Sequence, residues 1–279
     1  LAMFFLSRFK HEVTNTPGEP FDIKGAIVYG VSITLVMFGI VNVLEPYAIP
    51  TMVFGALLLY YFLKSQGEAE YPVLRVTMFR SRGFKLSGTA IFLNYLSVHS
   101  TSFLLSLYLQ SIGALSPAEA GGLMFIQPLV QTFVTPLAGK ITDRTQPRYL
   151  MTAGMLATLL GLLMLQFLTG TLNIYLIIAA MLMLGLGFSL FSAPSTTSML
   201  SYCHYKEYSA ASAMVAILRQ SAMMVSLGIA MAVIAVIMGS ADNLIPENYA
   251  NFLLSMRIIW GIGIAMSVAG IVISWNVRA

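Results

Sequence analysis

Residues 172–198 read LNIYLIIAAMLMLGLGFSLFSAPSTTS, and no side chain in this stretch carries a charge. About 20 mostly apolar residues suffice for a helix to cross the hydrocarbon core of a bilayer, so this stretch predicts a membrane-spanning helix. Seven other stretches have the same character. We therefore predict an all-α integral membrane protein with eight transmembrane helices: 24–44, 47–64, 85–108, 118–139, 148–168, 172–198, 209–238 and 252–276.

The composition excludes a soluble protein. Hydrophobic residues make up 58% of the chain and charged residues 9%, whereas soluble domains average about 25% charged residues. The lipid bilayer is therefore an expected partner, and the net charge of +4 does not predict binding to nucleic acid. The chain has one cysteine, Cys203, so it cannot form an intrachain disulfide.

The basic residues are distributed unevenly between the two sides of the predicted bundle. Arg219 and Arg257 fall within spans, and the loops of one side contain no Lys or Arg. The positive-inside rule makes the other side cytoplasmic, which predicts a multi-pass plasma-membrane protein with both ends of the chain in the cytoplasm. That side carries the remaining thirteen of the fifteen Lys and Arg: Arg8, Lys10, Lys24, Lys64, Arg75, Arg80, Arg82, Lys85, Lys140, Arg144, Arg148, Lys206 and Arg278.

The predicted spans divide the chain into four parts. Residues 1–23 are expected to contain the end of a preceding helix and a cytoplasmic loop, because an apolar opening is followed by basic residues. We accordingly expect a piece of a longer protein. Residues 24–64 predict a transmembrane hairpin, and 85–279 predict a bundle of six helices. Between them, 65–84 predict a cytoplasmic linker that either lies on the membrane surface as an amphipathic segment or packs against the bundle.

Polar side chains form stripes on four of the last six helices, while 148–168 and 252–276 are nearly free of them. Helical spacing places the members of each stripe on one face. Polar groups in hydrocarbon need partners or water, so the stripes predict either a wet cavity or hydrogen-bonded helix contacts. The cavity-lining candidates are Tyr95, His99, Ser102, Ser106, Gln127, Gln131, Ser192, Thr196 and Arg219.

Two of these candidates have further interpretations. Arg219 lies inside a span, where an ionisable residue is a functional candidate by default, although its long side chain could also extend to the membrane surface. His99 could titrate near neutral pH, or it could be a neutral, hydrogen-bonded interior histidine.

The loop between 118–139 and 148–168 reads GKITDRTQPR over residues 139–148. It resembles the G-x-x-x-D-R-x-x-P/G-R loop of major facilitator superfamily transporters. This resemblance implies a gating motif formed by Gly139, Asp143, Arg144 and Arg148. The alternative for Asp143 and Arg144 is an ordinary surface ion pair.

Further segments resemble the fourteen-helix drug:proton antiporters of EmrB/QacA type within that superfamily. They are FDIKG at 21–25, FLNY at 92–95, LYLQ at 107–110, SPAEAG at 116–121, Gln127-Pro128, and Leu218-Arg219-Gln220 with Gly228. The resemblance implies a C-terminal fragment: an inserted helix pair, then the second six-helix half, with the N-terminal half of the same protein as its missing partner. It also implies that helices 85–108 and 172–198 line the central cavity.

These observations favour a secondary active transporter that exports hydrophobic or amphipathic drugs and similar compounds by proton coupling. We expect this fragment, which lacks the first half, to supply the cavity wall and the gate rather than the coupling site. Proton coupling normally requires a buried acid, yet every Asp and Glu falls in a loop or at a helix end. We predict no catalytic residue, no metal site and no cofactor. A non-transporting truncated relative and a membrane-embedded lipid-modifying enzyme are the alternatives, and the enzyme would need clustered His, Asp, Glu or Cys at membrane depth.

Overall fold

The computed structural model describes residues 22–68, 72, 74–204, 207–239 and 245–277. The part of the chain it describes is helical and contains no strand. Its nine α-helices are α1 (Ile23–Val41), α2 (Ala48–Glu68), α3 (Arg82–Leu107), α4 (Pro117–Met124), α5 (Ile126–Thr142), α6 (Pro147–Leu165), α7 (Ile174–Leu200), α8 (Tyr208–Met238) and α9 (Tyr249–Trp275). The predicted end of a preceding helix, within residues 1–21, lies outside the described residues.

Seven of the helices in the described part are long and apolar enough to cross a membrane. The predicted single span 118–139 is wrong as one continuous helix, because it is divided at Phe125 into α4 and α5. The physical reason lies at Pro128. A proline has no N–H to donate to the carbonyl four residues earlier, and its ring crowds that carbonyl, so the helix breaks or bends there.

Side-chain caps and special residues define several helix ends. Asp22 and Asn173 each accept a hydrogen bond from the backbone N–H three residues further on, at the starts of α1 and α7. Ser116 and Glu119 form a reciprocal capping box at the start of α4. Gly239 follows α8 with φ 82°, a conformation that glycine adopts without steric cost.

Hydrogen bonds join the helix ends that the predicted topology places on one side of the membrane. The Tyr108 hydroxyl, just after α3, donates to the carbonyl of Thr169 in the α6–α7 loop at 2.8 Å. The Tyr249 hydroxyl, at the start of α9, donates to the carbonyl of Ser111 at 2.6 Å. These contacts place the end of α3, the α6–α7 loop and the start of α9 together at one end of the bundle.

At the base of the α1–α2 hairpin, four residues lie close together: Asp22, Gly25, Gln66 and Leu74. The Gln66 side chain donates to Oδ2 of Asp22 at 2.8 Å and accepts from the backbone N–H of Leu74 at 2.9 Å. Gln66 is buried, and a Cβ on Gly25 would collide with the Asp22 carboxylate. These hydrogen bonds therefore connect both helices of the hairpin to the start of the segment that follows it.

The described residues between α2 and α3 pack against the rest of the helices. They include a short 3-10 turn, Val76–Arg80, and the rings of Phe79 and Phe84 meet edge to face with centroids 5.3 Å apart. Leu74 is buried in the same apolar cluster as Phe84. Of the two interpretations of 65–84, these contacts favour a packing linker over a free surface segment.

Among the described helices α3 is central, because it contacts α7, α8 and α9, while α6 and α7 form the most extensive helix pair. Glycines allow that pair to approach at the backbone: a Cβ on Gly154 would lie 2.7 Å from the carbonyl oxygen of Gly187. The hairpin contacts α8 through α1, where the Tyr29 hydroxyl and Ser221 Oγ are 2.7 Å apart.

Candidate functional site

A polar cleft of about 170 Å³ lies between α3, α5, α7 and α8. It contains five of the nine cavity-lining candidates, so residues from separate predicted stripes converge on one space. A shallower cavity of about 400 Å³ shares Ser102, Gln127 and Gln131 with it. The cleft is lined by Asn94, Tyr95, Val98, His99, Ser102, Gln127, Gln131, Phe188 and Met223.

Two features of local structure place these side chains in the cleft. On α3, steps of four and three residues put Tyr95, His99 and Ser102 on one helical face. Gln127 and Gln131 likewise lie one turn apart on α5, beside the break at Phe125. Neither glutamine side chain has a hydrogen-bond partner among the described residues, so both amides are available to a ligand or to water.

Tyr95 contributes aromatic surface to the cleft. It is buried, and its ring meets that of Phe188 edge to face with centroids 5.5 Å apart. The guanidinium carbon of Arg219 lies 5.4 Å from the centroid of the Tyr95 ring. This geometry is within the range of a cation–π contact.

Arg219 connects α8 to α7. Its Nη2 donates to Oγ1 of Thr196 at 2.5 Å and to the carbonyl of Ser192 at 3.4 Å. Its Nε is buried without a hydrogen-bond partner in the described structure. Four candidates, Tyr95, Ser192, Thr196 and Arg219, are thus brought together, and the arginine side chain extends between helices rather than along α8 to the surface.

Four of the nine cavity-lining candidates do not line this cleft: Ser106, Ser192, Thr196 and Arg219. Ser106 is the one farthest along α3. This residue lies two helical turns beyond His99, past the end of the cleft, and its Oγ accepts from the side chain of Gln110 at 2.9 Å. Conversely, Asn94 lines the cleft but was not among the candidates. It is buried, and its side-chain amide donates to the sulfur of Met155 at 3.1 Å. The polar character of Asn94 within a span was the signal that could have identified it.

The loop that resembles the gating motif is exposed. Asp143 and Arg144 line an open depression at the end of α5, and Asp143 makes no ion pair within the described residues. Arg148 is half-buried: its Nη2 donates to the Tyr149 hydroxyl at 2.8 Å, and its guanidinium lies 5.8 Å from the centroid of the Trp275 ring. Arg148 therefore joins the loop to the ends of α6 and α9, and Asp143 remains available.

The carboxylates of the described residues all lie outside the apolar centres of the helices. Asp22, Glu68, Asp143 and Glu207 stand at or next to helix ends, Glu119 lies in the first turn of α4, and Glu45 and Glu247 lie in connections. No group of three or more His, Cys, Asp or Glu within the described part could hold a metal ion. The cleft thus presents amides, hydroxyls, an imidazole and aromatic rings.

Asp22 and Cys203 are among the groups near the membrane ends whose pKa values depart from their usual range. The hydrogen bond from Gln66, followed by that from the Gly25 backbone, lowers the pKa of the Asp22 carboxyl. Burial, followed by the charge of Glu207, raises the pKa of the Cys203 thiol. Neither group lies in the cleft.

The fold and the cleft together define a multi-pass α-helical membrane protein with a polar site between its helices. The model of the Major Facilitator Superfamily matches residues 23–227, which is more than half of the chain. The protein therefore belongs to the major facilitator superfamily, a family of transporters.

Individual relatives are distant and are named for transport or drug resistance. The chain is 25% identical to the riboflavin transporter RibZ of Clostridioides difficile over 72% of the chain and 44% of the relative. It is 23% identical to the lincomycin resistance protein LmrB of Listeria innocua over all of the chain and 61% of the relative. The multidrug resistance protein Stp of Mycobacterium tuberculosis is also 23% identical, over 60% of the chain and 32% of the relative.

The chain spans less than two thirds of the length of these relatives. Their names are those of transporters and resistance proteins, which favours transport over the lipid-modifying enzyme.

Proposed function

We propose that this protein is a secondary active transporter that exports amphipathic small molecules across the plasma membrane, and that the polar cleft forms one wall of its substrate site. The observation that carries the proposal is the convergence of His99, Ser102, Gln127 and Gln131 from two helices on one space. Ligand sites combine apolar walls with a few polar groups that fix orientation. The cleft has this composition, because Tyr95 and Phe188 provide its aromatic surface.

The architecture is part of the same proposal. We assign α1 and α2 to the inserted pair of a fourteen-helix antiporter, and helices α3–α9 to its second six-helix half. In this assignment α4 and α5 together cross the membrane as one span, which brings the number of spans to eight. The motifs at 21–25 and 139–148 support this assignment. The asymmetry of Lys and Arg supports a cytoplasmic location for the 139–148 loop.

Proton coupling requires a group that the described spans do not supply. An acid that changes protonation within the membrane is the usual coupling site, and the described carboxylates lie at helix ends or in connections. We therefore propose that this region supplies the cavity wall and the gate, while the coupling acid lies in another part of the full-length protein. Export that stops when the proton gradient is collapsed would support coupling.

The gate follows from the exposure of Asp143. A negative charge is stabilised near the N-terminus of a helix by about 0.3–1 kcal/mol, and by up to about 2 kcal/mol when partly buried. We propose that Asp143 meets such a helix start in the other half in one conformation. If the other half carries a loop aspartate equivalent to Asp143, the start of α8 would receive it. Ser209 and Ser212 are exposed there.

A transport assay with matched variants tests the substrate site. Cells without their own drug exporters would express the full-length protein, and accumulation of lincomycin, riboflavin and an amphipathic dye would be measured. A hydrogen bond contributes about 0.5–1.5 kcal/mol, so Gln131→Leu should reduce export of a recognised compound by about two- to tenfold. Phe133→Leu, two residues along α5 at an exposed apolar position, is the control and should leave export unchanged.

Two results would contradict the proposal. If expressed and correctly inserted protein exports none of a broad panel of amphipathic compounds, the non-transporting relative is the better interpretation. If Gln131→Leu and Phe133→Leu behave alike with every exported compound, the polar cleft is not the substrate site.

A further inference from the structure

A second cleft, entirely different in chemistry, lies on the other side of the α3–α8 contact. It has a volume of about 680 Å³. It is formed by α1 and α8 with Phe103 of α3 and is the point where the hairpin meets the bundle. Its lining consists of Ile33, Thr34, Met37, Phe38, Val41, Asn42, Phe103, Met224, Leu227, Gly228 and Met231.

The polar side chains of this cleft are directed to their own helix. Oγ1 of Thr34 donates to the carbonyl of Gly30 at 2.8 Å, and Nδ2 of Asn42 donates to the carbonyl of Phe38 at 2.8 Å. The remainder of the lining is apolar, and much of it is methionine, which adapts to irregular apolar shapes. Water is a poor occupant of such a space, because it needs two to four polar partners.

Gly228 helps to maintain the space. A Cβ on this residue would lie 3.1 Å from Cγ2 of Ile40 and 3.3 Å from the sulfur of Met37. A larger residue would therefore press against α1 at the wall of the cleft. Gly228 is one of the residues that carry the family resemblance. It lines the apolar cleft and not the polar one.

The cleft is also continuous with the apolar surface that the hairpin turns outwards. Val31, Phe38 and Val41 of α1 are exposed large hydrophobic residues, and Phe38 and Val41 line the cleft as well. The bilayer is the medium that covers this surface. A hydrocarbon chain can therefore enter the cleft from the side without crossing a polar barrier.

We propose that the cleft between α1 and α8 is a binding site for one acyl chain of a membrane lipid. Its walls match hydrocarbon and offer no charged group to orient a polar compound. The site is separate from the polar cleft: the adjacent residues Ser102 and Phe103 face the polar and apolar clefts respectively, as do Met223 and Met224. The proposal does not depend on the proposed transport function.

Quenching of tryptophan fluorescence by brominated lipid tests the proposal. Trp260→Phe and Trp275→Phe provide a background without the two native tryptophans, and Phe103→Trp then places a reporter in the cleft of the full-length protein. The protein is reconstituted into phosphatidylcholine vesicles with increasing fractions of phosphatidylcholine that is dibrominated on its acyl chains. We expect strong quenching, and Thr34→Phe, which fills the cleft, should reduce it by at least half.

Val31→Phe is the matched control, because it adds a ring to the same helix one turn away at an exposed position outside the cleft lining. It should leave quenching unchanged. Met224→Trp replaces Phe103→Trp as the reporter if the latter variant does not fold. Equal quenching with Thr34→Phe and Val31→Phe would overturn the proposal. So would relief of quenching by a transported compound at constant lipid composition, which would make that compound the occupant.

Discussion

Replacing Gly187 with alanine should force apart the helix pair that supports the cavity wall. An ideal Cβ on Gly187 would lie 2.7 Å from the backbone nitrogen of Thr158 and 2.8 Å from the carbonyl oxygen of Gly154. Both atoms belong to the backbone of α6, so no side-chain rotation relieves the overlap. Oγ1 of Thr158 would also be in the way. The helices would therefore have to move apart by several tenths of an ångström, together with Phe188 on α7.

The expected cost follows from two opposing effects. Adding a methyl group to a tightly packed core typically costs about 1–3 kcal/mol, while replacing glycine with alanine inside a helix gains about 1 kcal/mol of helix propensity. The net destabilisation should be up to about 2 kcal/mol. For chains of about 150–250 residues, 1 kcal/mol corresponds to about 2–4 °C in Tm, so we expect Tm to fall by up to about 8 °C.

Gly30→Ala is the control for this experiment. Gly30 lies in α1, and a Cβ there would have no heavy atom within 4 Å, so the variant gains helix propensity without overlap. Tm of the purified full-length variants would be measured in one detergent from the loss of the monodisperse size-exclusion peak after heating. A Tm for Gly187→Ala equal to or above that of Gly30→Ala would refute the close α6–α7 contact as the reason for this glycine.

Three further predictions concern charged residues. Arg219→Gln should reduce transport by the full-length protein more than Arg219→Lys, because lysine keeps the charge beside Thr196; equal transport by both variants would show that the charge is not needed. Asp143→Asn should lower transport by about two- to thirtyfold, as expected for a helix-terminus contact of up to about 2 kcal/mol, with unchanged expression; wild-type rates would make Asp143 an ordinary surface charge. The pKa of Asp22 is lowered in the folded protein by Gln66, so its charge stabilises the fold above the ordinary carboxyl pKa of about 3.9 and ceases to do so as pH falls through the lowered value. The Tm advantage of the wild type over Asp22→Ala should therefore be present at pH 7 and shrink below about pH 4, and an advantage independent of pH would contradict this.

The polar face of α3 could be predicted from the sequence, because helical periodicity determines which side chains share a face. Tyr95, His99 and Ser102 share that face and line the polar cleft. Periodicity does not determine how far along the helix a cleft extends, and Ser106 accordingly lies beyond it, bonded to Gln110. The break at Phe125 could have been predicted from Pro128, since a proline inside a helix removes a backbone hydrogen bond.

Contacts between helices were the least predictable feature. Arg219 was expected either to serve the cavity or to reach the membrane surface, and the spacing of residues along α8 could not show that Thr196 of α7 lies within hydrogen-bond distance. The apolar cleft was also not predicted. Its residues are ordinary apolar residues of three helices, and nothing in a single stretch of sequence shows that a space remains between them.

The α8 helix, like α3, lines both clefts. Within two helical turns it makes hydrogen bonds to three neighbours: Arg219 to Thr196 of α7, Ser221 to Tyr29 of α1, and Ser226 to the backbone of α3. Each such bond contributes only about 0.5–1.5 kcal/mol, so together they fix the position of α8 without making it immovable. A shift of α1 must therefore either break the bond to Ser221 or carry α8 with it. In the second case Met223 and Met224, which face opposite clefts, move together, and the shape of the polar cleft changes with that of the apolar one.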